Sequence, residues 1–169
     1  QLLHHESCRL EGNCILKNCS SDWFWNIQDR GELIIKEKNN FENNSGTISN
    51  YYLTENISSL GLINTFENSL RSNHYHPIQE QKVLVIKGRY LSISKDLNKY
   101  NSKIKIEIVK DGDLIITPPY VAHTNIFLED TISINLVAGN RDKDKFSEHT
   151  IKYDLVTEEE KNNYIKQFK

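Results

Sequence analysis

The sequence predicts an all-β fold, an antiparallel sandwich or barrel carrying an N-terminal β arm and a short C-terminal helix. Three observations predict it. Ten short runs rich in Val, Ile, Tyr and Thr recur along the chain. Turn-forming residues separate them. Helical patterning is almost absent before the C-terminal tail, so strand follows strand without the helices of a parallel sheet.

In chain order the runs are Trp23–Ile27, Glu32–Lys36, Ile48–Leu53, Leu60–Phe66 and Val83–Ile86, then Tyr90–Ser94, Ile104–Val109, Leu114–Ile116, Ile132–Val137 and Thr150–Leu155. Asn43-Asn44-Ser45-Gly46 and Lys110-Asp111-Gly112-Asp113 read as tight turns, and Asp96–Ser102 as a longer polar loop. The helix is signalled by a capping box, Thr157 with Glu160, by acids in its first turn, and by Lys166 and Lys169 at its end. It spans Glu158 to Phe168, with Tyr164, Ile165 and Phe168 as its apolar stripe, and is short enough to need a surface to dock on. The chain therefore divides into an arm packed on the barrel (1–59), the barrel itself (60–155) and the helix (156–169).

Composition excludes several classes. The 21 Lys+Arg nearly balance 23 Asp+Glu, and no basic block suggests a nucleic-acid partner. No apolar run approaches the ~18 residues of a membrane span. The first residues lack the basic and apolar regions of a signal peptide. With no Met anywhere, the start is expected to be processed or to belong to something longer. Cys8, Cys14 and Cys19 are odd in number and all precede the barrel, which suits a reducing, cytoplasmic setting better than a disulfide framework. Their spacing, even with His4 and His5 nearby, misses the usual zinc knuckle, so they read as ordinary thiols.

The chemistry concentrates in two segments. In Ser72-Asn73-His74-Tyr75-His76-Pro77, the two histidines are two residues apart, so a strand points both to one side. Two inward imidazoles on an apolar wall cannot comfortably both be cations; they would share a metal, share protons or bind an anion. The second segment, Gly112 to His123, adds a third histidine after the Pro118-Pro119 turn.

Taken together and in this order, residues 60–139 resemble the cupin family. The first segment is similar to cupin motif one (His-x-His, three or four residues, Glu, about six residues, Gly), ending here at Gly88. The second is similar to motif two (Gly, five residues, Pro, a short gap, His). The resemblance implies a double-stranded β-helix, or jelly-roll barrel. It also implies a divalent ion (Fe, Mn, Ni or Zn) held by His74, His76, His123 and a fourth ligand. Counting from His76 favours Glu80 for that ligand, and counting back from Gly88 favours Gln81. Residues 80 and 81 face opposite ways in a strand. The Gly88 spacing predicts Gln81 inward beside the histidines and Glu80 at the rim.

A narrower resemblance joins Arg71-Ser72-Asn73-His74-Tyr75, Gln81-Lys82 and Pro119-Tyr120-Val121-Ala122-His123 to the dTDP-4-dehydrorhamnose 3,5-epimerases and related sugar-nucleotide cupins. It implies catalysis through His74 as base, with His76 beside it. Arg71, Lys82 and Tyr120 would bind substrate, and no metal would be used. The position of that family's acidic tyrosine falls on Leu136, which cannot protonate an enolate. Ser133–Val137 and Phe146–Ile151 resemble, in style, small cupins of surface-polysaccharide synthesis. The expected function is epimerisation or isomerisation of a nucleotide-linked sugar. The alternatives are a metal-dependent oxygenase or lyase and a non-catalytic sugar-binding module. Apolar residues on both faces of Val83–Ile86 imply a covered sheet, by the arm or by a second subunit, and a homodimer is expected.

Overall fold

The computed structural model describes residues 31–36, 39–138 and 146–169. The expected strand at Trp23–Ile27, the three cysteines, and His4 and His5 lie outside the described residues.

Among the described residues, twelve strands and two helices follow one another: β1 (Leu33–Ile35), β2 (Asn39–Asn43), β3 (Gly46–Ser49), β4 (Ile57–Thr65), β5 (Leu70–Tyr75), β6 (Gln81–Lys87), β7 (Arg89–Asp96), β8 (Lys105–Lys110), β9 (Leu114–Thr117), β10 (Val121–Phe127), β11 (Thr131–Ala138), α1 (Phe146–His149), β12 (Ile151–Lys152) and α2 (Glu158–Phe168). Two five-stranded sheets form, in the orders β1-β9-β6-β11-β4 (sheet I) and β12-β5-β10-β7-β8 (sheet II), beside a small β2-β3 hairpin. All pairings are antiparallel. From β4 to β7 successive strands alternate between the sheets, giving the expected jelly-roll.

The β6–β7 crossing depends on Gly88. Its φ is +100°, and a Cβ there would lie 2.5 Å from the Asp130 carbonyl oxygen and 2.8 Å from Thr131 Cα. Only glycine takes this turn without strain.

Strand alternation gives the interior a gradient. At one end Val85, Ile115 and Ile34 from sheet I meet Tyr90, Val109 and Phe127 from sheet II in a dry core. Moving along β10 on the same face, Phe127 gives way to Asn125 and then His123; along β7, Tyr90 gives way to Ser92 and Ser94. On sheet I, Val85 leads to Val83 and Gln81 on β6, and Ile115 to Thr117 on β9. One end of the barrel is thus an apolar floor and the other is chemically equipped.

The outer face of sheet II is closed by α2. Leu91, Ile93, Ile126 and Leu128 are buried with Val156, and Leu155, Tyr164, Ile165 and Phe168 pack against them. The predicted stripe is therefore what docks the helix. Its capping box is present: the Thr157 side chain accepts from the Glu160 N–H, and the Glu160 carboxylate accepts from the Thr157 N–H at 2.8 Å. Among the described residues, no helix is long and apolar enough to cross a membrane.

Candidate active site

His74 and His123 face each other across β5 and β10, and the pairing depends on a bulge. Register runs His123↔His74 and then Thr124↔Ser72, leaving Asn73 as the extra residue. Ser72 and Asn73 both have positive φ (+75° and +53°), a conformation that Asn tolerates better than most residues. Asn73 is pinned there. Its side-chain oxygen accepts from Thr124 Oγ1, Leu155 N and Val156 N, and its Nδ2 donates to the Val156 carbonyl. The sequence shows an Asn but not these distant partners, so its role in aiming His74 is invisible there.

The three rings converge. Centroids lie 4.8 Å apart for His74–His76, 4.7 Å for His74–His123 and 5.5 Å for His76–His123. His76 and His123 are buried, and His74 is half-buried. One ligand nitrogen from each lies within 4.8 Å of the others; among the described residues no carboxylate belongs to this group. His76 Nδ1 is 2.7 Å from the His149 carbonyl, at the end of α1. His123 Nδ1 is 3.2 Å from the Val121 carbonyl. A carbonyl only accepts, so both Nδ1 atoms carry the proton and each Nε2 presents a lone pair. His123 Nε2 is buried with no hydrogen-bond partner. Burial pushes the His123 imidazole down to about 4 against the opposing bond to Val121. It is neutral at physiological pH.

The other expected site residues divide. Gln81 lies opposite Thr117, whose hydroxyl is buried in the interior, so it shares the inner face. Glu80 pairs at 2.6 Å with Lys82. Lys82 is buried on the other face of β6, opposite Leu136, and also pairs with Glu55 at 3.0 Å. Expected as a substrate contact, Lys82 is instead turned away from the histidines by strand parity and neutralised by two carboxylates. Leu136 shares that outer side, and its inward neighbour is the buried Asn135. Arg71 is exposed, lies opposite Asn125 and donates to Thr65 Oγ1 at 3.2 Å. Tyr120 (φ +60°) donates its N–H to the His76 carbonyl at 2.8 Å, while its ring stacks on Tyr75 at 5.8 Å, away from the imidazoles.

Glu32 is the residue that sequence reading missed. It enters the interior just before β1 and bridges the two sheets, accepting from Thr117 Oγ1 at 2.6 Å and from Ser92 Oγ. Burial raises its pKa against the opposing hydrogen bonds. A lone acid in a β arm carries no pattern that announces this.

Three imidazoles, each offering one nitrogen within 4.8 Å of the others, suit a borderline divalent ion, which needs nitrogens at ~2.0–2.1 Å from the metal. Carbonyl partners on the far nitrogens are the usual means of orienting such ligands. The same lone pairs serve equally as proton acceptors.

Among solved structures, the fold is similar to a dTDP-4-dehydrorhamnose 3,5-epimerase from Sulfolobus tokodaii (21% identity, 70% of this chain and 74% of that one, TM-score 0.57). It is also similar to a sugar 3,4-ketoisomerase from Thermoanaerobacterium thermosaccharolyticum in complex with TDP (15% identity, 82% and 97%, TM-score 0.58). A third likeness is a 3'-monoepimerase from Streptomyces bikiniensis in complex with dTDP-quinovose (12% identity, 69% and 68%, TM-score 0.56). No curated protein matches the sequence. The cupin family model matches residues 35–151, a span that holds β2 to β11 and the three clustered histidines, and the chain belongs to the cupin family.

Proposed function

We propose that this cupin is an enzyme that isomerises or epimerises a nucleotide-linked keto sugar, with His74 as the base. The observation that carries the reading is the three-imidazole cluster at the polar end of an otherwise dry barrel. His74 removes a proton α to the keto group, and the resulting enolate takes a proton back. With Leu136 facing outward, no phenol stands where the epimerases place their acid. Return of the proton by His74 itself to the former carbonyl carbon, while the hydroxyl proton on the α-carbon passes through the enediol to the former keto oxygen, is an isomerisation, which makes the ketoisomerase-like outcome the simpler one. Arg71, exposed near the inner face, binds the diphosphate through its guanidinium fork. The structural neighbours support this substrate class by fold alone.

A second reading has its own observation. The Nδ1 contacts to the His149 and Val121 carbonyls fix two of the three histidines as a metal-ligand pair would be fixed. An ion held by His74, His76 and His123, with Gln81 as a weak fourth ligand, would polarise the substrate oxygen.

One variant separates the readings. His74→Asn should cut exchange of the α-proton of a nucleoside-diphospho-4-keto sugar with deuterated water by ~10²–10⁴-fold, the usual share of a general base. Nucleoside diphosphate affinity should stay unchanged. Exchange at the wild-type rate would end the base assignment. Stoichiometric Fe, Mn, Ni or Zn in the purified protein, lost in His74→Asn, would move the assignment to the second reading.

A further inference from the structure

On the inner face of β10, His123, Asn125 and Phe127 follow one another. Phe127 belongs to the dry core, whereas Asn125 is only half-buried although it points the same way. The interior therefore stands open to the depth of Asn125 and closes at Phe127. The Asn125 side-chain oxygen is nevertheless buried, and among the described residues nothing donates to it. Its two neighbours in register turn their polar groups elsewhere. Ser92 on β7 donates to Glu32, and Arg71 on β5 donates to Thr65 Oγ1 at 3.2 Å. Buried polar groups are nearly always hydrogen-bonded, and an orphaned one destabilises the fold. An amide kept at this position calls for a partner from outside the chain. One inner position further along the strand, about 7 Å away, His123 Nε2 is buried and unpartnered as well. Two successive inner positions thus present unsatisfied polar atoms to one cleft.

We propose that Asn125 reads the hydroxyl on carbon C2 of the substrate sugar, an inference that rests on the isomerase reading above. That reaction needs an α-carbon bearing a hydroxyl. In a 4-keto hexopyranose the α-carbons are C3 and C5, and C5 carries the ring oxygen instead, so His74 acts at C3. The diphosphate is attached at C1 and is taken by Arg71. β5 and β10 align these two contacts, since His74 pairs with His123 and Arg71 pairs with Asn125. C2 is the carbon between C3 and C1. The ring's other path, through C5 and the ring oxygen, offers no hydrogen-bond donor. A hydroxyl suits Asn125 because it both donates and accepts, and so satisfies the amide whichever way it is turned. This contact belongs to the sugar alone, so it separates sugars with a C2 hydroxyl from 2-deoxy sugars.

Calorimetric binding of thymidine-diphosphoglucose and its 2-deoxy analogue tests this, because neither carries a keto group and neither turns over. Wild type should bind the C2-hydroxyl compound roughly 10–100-fold more tightly, the effect of one buried polar group left unpaired. Asn125→Leu should make the two affinities equal and leave that of thymidine diphosphate unchanged. Should Asn125→Leu fail to fold, Asn125→Ala removes the same amide. Equal affinities in wild type overturn the proposal, as does a wild type that binds neither compound. Discrimination that survives the loss of the amide overturns it too. A variant that loses thymidine diphosphate in step with both sugars makes Asn125 a structural residue and also overturns it. Discrimination without α-proton exchange on the 4-keto sugar would keep the role of Asn125 and remove the reaction. Exchange without discrimination would do the reverse.

Discussion

At the scale of single residues, His74, His76 and His123 were legible because both strand parity and motif spacing pointed at them. The choice of Gln81 over Glu80 for the inner face rested on the Gly88 spacing, against the count from His76. The Gln81↔Thr117 register puts Gln81 on the inner face, and the ion pair with Lys82 shows where Glu80 goes. Lys82 read as a substrate contact because the resemblance to the 3,5-epimerases runs through Gln81-Lys82, yet one position along a strand reverses the face. Glu32 was not legible at all, and its burial has a measurable consequence. Its folded-state pKa is raised, so the unfolded chain releases the proton first as pH rises above 4.5. Stability is therefore full below that point and declines until the folded carboxyl ionises. Glu32→Gln removes the titration while keeping the shape, and its amide can still bond Ser92 and Thr117. Thermal unfolding should show the variant above wild type at pH 7, with the difference shrinking as pH falls toward 4.5. A constant difference across that range would mean Glu32 does not titrate on unfolding.

At the scale of elements, local chemistry decided what could be read. The helix α2 was predicted to its end residues because capping box, acidic first turn and basic last turn are all local signals. The turn at Asn43–Gly46 was equally plain, and it joins β2 to β3. β5 was legible only around its histidine, because its polar sequence LRSNHY and its bulge mask the alternation that marks a strand. The run Thr150–Leu155 looked like a full strand but contributes only Ile151 and Lys152, since Asn73 draws the backbone of Leu155 and Val156 out of the ladder. Gly88 was flagged as a motif position, and the structure supplies the reason, a positive φ against the Asp130–Thr131 backbone. Gly88→Ala should cost about 3 kcal/mol in denaturant unfolding, the sum of backbone strain and overpacking. A loss under about 1 kcal/mol would show that the β6–β7 crossing relaxes freely.

At the scale of the whole molecule, the described residues cover the two sheets unequally. α2 covers the outer face of sheet II, whereas leucines remain exposed on sheet I. The sequence by itself determined the all-β class, the pairing of two histidine-bearing segments and the C-terminal helix, because periodicity, turn chemistry and caps act between neighbours in the chain. Only the tertiary structure decided which face each residue takes, that Asn73 and the His149 carbonyl aim the imidazoles, and that Glu32 bridges the sheets. Those depend on register and on contacts between residues 51 to 85 positions apart, which no local pattern encodes.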